Sequence, residues 1–148
     1  MSDEPVRVTL QQQQDYRFEV AFGAPVPPLV ADEPPPLGGS AGPSPVQLLA
    51  AAVGNCLADS LLFALRKFHQ APEPIRAEVA AHVGRNAEGR LRVLRIEAAL
   101  HLGVAADTLQ HLDRVLQGFE AYCTVTQSVG AGIPVTVQVH DASGRALR

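Results

Sequence analysis

Apolar and polar positions change rhythm several times along the chain, and each change marks an element. Val6 to Leu10 and Tyr16 to Phe22 are β-former stretches either side of a polar run, Gln11 to Asp15. In the second stretch Tyr16, Phe18 and Val20 share one face, and Arg17 and Glu19 the other. Such alternation marks a half-buried strand, so residues 1–22 are predicted to form an N-terminal hairpin. A Pro- and Gly-rich connection over 23–44 follows, too long for a tight turn and predicted to lie against the body as a covering segment.

From residue 45 the chain is apolar around nearly the whole circumference of a predicted helix, 45–69, about 36 Å long. Polar side chains keep to a narrow stripe of Gln47, Asn55, Asp59 and Arg66. Ser44 suits the N-cap and Pro45 the first turn, while Arg66, Lys67 and His69 complement the dipole at the far end. A helix apolar on all sides is covered by a large core, a bilayer or another subunit. Gln47, Asn55 and Asp59 would be costly at bilayer depth. A chain of 148 residues has little left to wrap the helix completely, so a dimer interface is predicted.

Pro72 and Pro74 break the chain before a hairpin predicted over 75–102, turning at Arg85 to Gly89. Leu109, Leu112, Leu116 and Phe119 recur at helical spacing and predict a second helix, 105–122. Residues 133–140 read as a closing strand. The order β-β-α-β-β-α-β predicts an α+β fold with antiparallel hairpins in a single domain, 1–148.

Composition narrows the function. With 47% hydrophobic residues the chain can bury a proper core. A net charge of −3 makes no electrostatic case for nucleic acid or an anionic membrane. The start, MSDEPVRVTLQQQQ, lacks a basic segment followed by an apolar one, so no signal peptide is expected and a cytoplasmic location is. His82, His101, His111 and His140 lack metal-ligand spacing, and neither a metal nor a bound cofactor is expected.

Two cysteines remain. They are too few for a disulfide scaffold, and in a reducing compartment a pair is more often catalytic or redox-active than a staple. Cys56 lies in the middle of the long helix, beyond reach of the dipole at its N-terminus. On the residues alone it reads as a buried core cysteine, reactive only if a cation reaches it from elsewhere in the fold. Cys123 follows the second helix directly and precedes Thr124, Thr126 and Ser128, where backbone N–H groups are free.

The segments GPSPVQLLAAAVGNCLADSL and AYCTVTQSVGAGIPVTVQV resemble the OsmC/Ohr family of thiol-dependent hydroperoxide reductases. The stretch LVADEPPPLGGSAGPSP fits its OsmC-like branch. The resemblance implies an OsmC-like fold, with antiparallel sheets around long buried central helices in an intertwined homodimer. It implies a peroxidatic Cys56, a resolving Cys123, an organic hydroperoxide or hydrogen peroxide as substrate, and an external dithiol or lipoyl-type reductant, in defence against oxidative stress. The family's activating arginine comes from the N-terminal strands; Arg17 is the first candidate and Arg7 the second. Ohr-type members carry a glutamate directly after the helix-opening proline, where this chain has Val46; Gln47 hydrogen-bonds but carries no charge. Gln47, Leu49, Val53 and Asp59 are expected to line the pocket, its apolar wall favouring lipophilic peroxides. Two other readings stay open: a non-catalytic dimer holding a small apolar ligand at its interface, and a cysteine-pair redox sensor.

Overall fold

The computed structural model describes residues 3–148; the first two positions of the predicted 1–22 segment lie outside the described residues. The chain, read from its sequence as one domain, divides into two units that meet in sequence between Leu48 and Leu49.

In the first unit β1 (Thr9–Gln14) and β2 (Arg17–Ala21) form an antiparallel hairpin. It turns through Asp15, whose φ of 47° lies in the left-handed region that Asp tolerates better than most residues. The connection over 23–44 contributes a strand of its own, β3 (Leu29–Ala31), paired antiparallel to β2 with Val20 opposite Leu29. The three residues of β3 are too few to show alternation; the pairing to β2 makes them a strand. Asp32 then turns the chain back. At Gly42 a Cβ would overlap the Val30 carbonyl oxygen, so only glycine lets the returning segment pass this strand.

Helix α1 runs Pro45–Lys67, two residues short of the predicted end. Its start is a capping box: the Gln47 N–H donates to Ser44 Oγ at 3.2 Å, and the Ser44 N–H to Gln47 Oε1 at 2.9 Å. At the other end the His69 N–H donates to the Arg66 carbonyl and the Gln70 N–H to that of Leu65, with His69 at φ 58°. His69 thus ends the helix through its backbone, in the place glycine usually takes.

In the second unit β4 (Arg76–Arg85) and β5 (Leu91–His101) form the predicted antiparallel hairpin. Strand β6 (Val135–His140) pairs beside β5, Ile96 opposite Val135 and Leu100 opposite Val139, and it runs parallel. That corrects the expectation of purely antiparallel sheets. The 33 residues between the two strands are long enough for the crossover a parallel pair requires. Val53, Leu57, Leu61 and Leu65 of α1 pack with Ile96, Leu100 and Val139 of this sheet, all inaccessible to solvent. Each such side chain contributes about 1.5–3 kcal/mol relative to exposure. Gly54 lets α1 approach β4, since a Cβ there would crowd the Val79 side chain.

The helix predicted over 105–122 is broken. A 3-10 turn (Ala106–Thr108) leads through an extended Leu109 to α2 (Leu112–Gly118), a second 3-10 turn (Phe119–Tyr122) and α3 (Thr124–Val129). Side chains distant in sequence take the N–H groups a continuous helix would use. Asp141 Oδ2 accepts from Ala106 and Gln70 Oε1 from Gln110, both at 2.9 Å, and His111 adopts φ 61°. Val115, Leu116 and Phe119 still reach the core. As expected of a chain of this length, the single chain covers only part of α1. The chain covers the Val53–Leu57–Leu61–Leu65 stripe, while Ala51, Ala52, Asn55, Asp59 and Phe63 remain exposed.

Candidate functional site

Helical spacing sets Leu49, Val53 and Cys56 on one side of α1, and all three pack into the same apolar cluster as Cys123. Cys123, 67 positions later, is wholly buried at the junction between the 3-10 turn and α3. Its carbonyl accepts the Gln127 N–H, and its thiol donates to Thr126 Oγ1 at 3.0 Å. The turn before it is braced by Arg148. Its Nη1 donates to the Leu116 carbonyl at 2.6 Å, its Nη2 stands 2.7 Å from Glu120 Oε1, and its guanidinium lies over the Phe119 ring.

Both thiols are free, and Cys123 is close enough to Cys56 to act on its titration. Burial pushes the Cys56 thiol up from its ordinary value, and Cys123 beside it adds to the rise. The nearby backbone N–H groups of Val125 and Thr126 oppose it. Thiolate formation is therefore held back within this unit.

Of the four residues expected to line the pocket, Leu49 and Val53 belong to the apolar cluster that also holds the two cysteines. Gln47 and Asp59 are exposed: Gln47 is occupied in the capping box, and Asp59 accepts from Asn55 Nδ2 at 3.2 Å, one turn back. One turn beyond Cys56, at Ser60, begins a mainly apolar cleft of about 260 Å³ between α1 and α2, lined by Phe63, Ala64, Phe119 and Tyr122 with the cations Lys67 and Arg114. Among the described residues no group of three or more His, Cys, Asp or Glu side chains is placed to hold a metal ion.

Arg7 and Arg17 belong to the first unit. Arg7 is exposed. Arg17, on β2, is half-buried; its Nε is shielded from solvent and has no hydrogen-bond partner among the described residues. Its charge acts on Asp32, a buried carboxylate that sequence reasoning passed over. Asp32 Oδ2 accepts from Ala41 and Gly39 at 3.0 Å, and Oδ1 from Glu33 at 2.9 Å. Those N–H donors, that of Ala41 foremost, and Arg17 hold its carboxyl below the usual range against the cost of burial. The one sequence signal was an acidic residue set before a Pro/Gly turn.

The family model described as OsmC-like protein matches residues 38–138, a span containing both cysteines. No curated protein sequence matches the chain. Among solved structures, an osmotic stress induced and detoxification response protein from Psychrobacter arcticus superposes with a TM-score of 0.77 at 19% identity, covering 95% of this chain and 98% of that one. An OsmC-like protein of unknown function from Vibrio cholerae gives 0.74 at 20% identity, covering 94% and 99%. The organic hydroperoxide resistance protein OhrB of Bacillus subtilis gives 0.69 at 13%, covering 93% and 99%. At these identities the structural likeness speaks for the fold, an α+β arrangement shared across the full length, and with the sequence match over most of the chain it makes this protein a member of the OsmC-like family.

Proposed function

We propose that the protein is a thiol-dependent peroxidase for organic hydroperoxides, with Cys56 as the peroxidatic and Cys123 as the resolving cysteine. One observation carries the reading: two free thiols, far apart in sequence, meet inside an apolar core beside backbone N–H donors. The hydroperoxide resistance named for the Bacillus subtilis structure agrees with it. In the reaction the Cys56 thiolate attacks the distal peroxide oxygen. An S–O bond forms, the O–O bond breaks, and the alkoxide leaves as alcohol after taking a proton. The Cys123 sulfur then displaces water from the Cys56 sulfenic acid, and an external dithiol of lipoyl type reduces the disulfide with no bound cofactor.

A buried thiol with a raised pKa needs a cation to work at neutral pH. Arg17 is the better candidate than Arg7, because its shielded Nε has no partner among the described residues and a buried donor left unmade costs about 1–3 kcal/mol. The cleft beyond Ser60 suits the organic part of a hydroperoxide better than hydrogen peroxide. The working form is a cytoplasmic homodimer that covers the open face of α1.

The test is consumption of cumene hydroperoxide by reduced protein. Fast consumption, lost in Cys56→Ser and halted at the sulfenic acid in Cys123→Ser, is the expected result. Arg17→Ala should move the rate's dependence to higher pH, as thiolate formation loses its cation. A rate no better than that of a free thiol at the same pH would sink the reading. The raised Cys56 favours one alternative, a cysteine pair that senses oxidants by forming its disulfide without sustained turnover; steady-state assay with a dithiol separates the two.

A further inference from the structure

We propose that Thr126 is a positioning residue for the resolving thiol: its hydroxyl oxygen holds the Cys123 S–H and so turns the sulfur lone pairs toward Cys56. The Cys123 thiol donates to Thr126 Oγ1 at 3.0 Å, and both groups are buried, Thr126 being 6% exposed. Thr126 also lies near the other sulfur, since its backbone N–H is among the groups that lower the Cys56 thiol. One residue therefore bears on both members of the pair, its side chain bonded to Cys123 and its main chain close to Cys56.

A purely structural duty for this hydroxyl is poorly supported. Cys123 occupies the N-cap of α3, and no side chain caps that end. Ser128, two residues on, donates back to the Thr124 carbonyl at 2.9 Å, the ordinary local bond of a helical hydroxyl. Thr126 Oγ1 instead receives the sulfur's proton. A buried S–H free to rotate would spend part of its time aimed at Cys56, where it blocks attack by the sulfur behind it; the bond to Thr126 removes that orientation.

The step concerned is the condensation of the Cys56 sulfenic acid with the Cys123 thiol. The S–S bond forms as the S–O bond breaks, and the Cys123 proton leaves with the hydroxyl as water. The hydroperoxide that made the sulfenic acid is the only oxidant used. This first setting rests on the peroxidase reading; the geometry does not.

Thr126→Val keeps the shape and removes the hydroxyl, and Thr126→Ser keeps the hydroxyl. With cumene hydroperoxide, Thr126→Val should lengthen the lifetime of the sulfenic acid, trapped with dimedone, by about tenfold, the scale of one lost hydrogen bond, beyond any change in its rate of formation measured in the same variant. Thr126→Ser should restore the wild-type lifetime. Thermal melts of both variants establish that they are folded. Diamide provides an arm independent of peroxide: it adds to one thiol, and attack by the other releases the hydrazine and closes the same disulfide. If wild type ignores the peroxide but closes the Cys56–Cys123 bond with diamide, the peroxidase reading fails, and a tenfold slower closure in Thr126→Val still supports the role of Thr126. Wild-type closure rates in folded Thr126→Val, failure of Thr126→Ser to rescue, or no disulfide in wild type under either oxidant would overturn it.

Discussion

Asp141 shows how much one side chain organises. Its Oδ1 accepts the N–H and hydroxyl of Ser143 and the N–H of Arg145, and its Oδ2 takes the N–H of Ala106 from a loop 35 residues earlier. These donors, led by the Ser143 hydroxyl, hold the carboxyl at about 2 against an ordinary 3.8, outweighing the cost of burial. A carboxyl lowered in the folded protein stabilises it fully above the unfolded value, and that contribution is lost as pH falls from there toward 2. Asp141→Asn should lower Tm by several degrees at neutral pH, and the gap to wild type should close toward pH 2, as thermal melts across that range will show. An equal gap at all pH values would mean that shape, not charge, holds the loop.

Among the elements, α1 depends most on a single stripe. Leu61 is inaccessible at its centre, and Leu61→Ala should cost about 2–5 kcal/mol in urea unfolding, the range for a buried leucine whose cavity only partly collapses. This helix was legible in the sequence because Ser44, Pro45 and the charged end are local signals. The hairpins were legible through alternation. The break between Leu109 and His111 was not, since it is imposed by Gln70 and Asp141, which no window around residue 110 contains. Strand β3 escaped for the same reason, and the direction of β6 depends on the path of the intervening chain rather than on the composition of the strand. At the candidate site, the helical spacing of Leu49, Val53 and Cys56 already set them on one side of α1, the side that packs into the cluster holding Cys123. Gln47 and Asp59 could not be placed, because a polar residue on a mostly apolar helix is equally consistent with lining a pocket and with facing solvent. Asp32 and the Thr126 contact exist only once the chain has folded.

At the scale of the molecule, the chain leaves large apolar side chains uncovered: Phe63 is 66% exposed and Tyr122 81%, both beside the cleft between α1 and α2. Patches of this kind on a soluble chain mark places where something docks. If the homodimer covers them, sedimentation of the wild type at micromolar concentration gives a dimer and Phe63→Glu gives a monomer; a monomeric wild type would rule the dimer out. The parallel pairing of β6 with β5 reaches further. It makes everything between Leu102 and Pro134, Cys123 included, a loop pinned at both ends by one sheet. During synthesis Cys56 emerges long before the strand that closes this loop. A nascent chain therefore carries its first thiol before the second has settled beside it, and any oxidation in that interval meets a lone cysteine. The last strand does more than complete a sheet: it determines when in the life of the chain the two sulfurs become a pair.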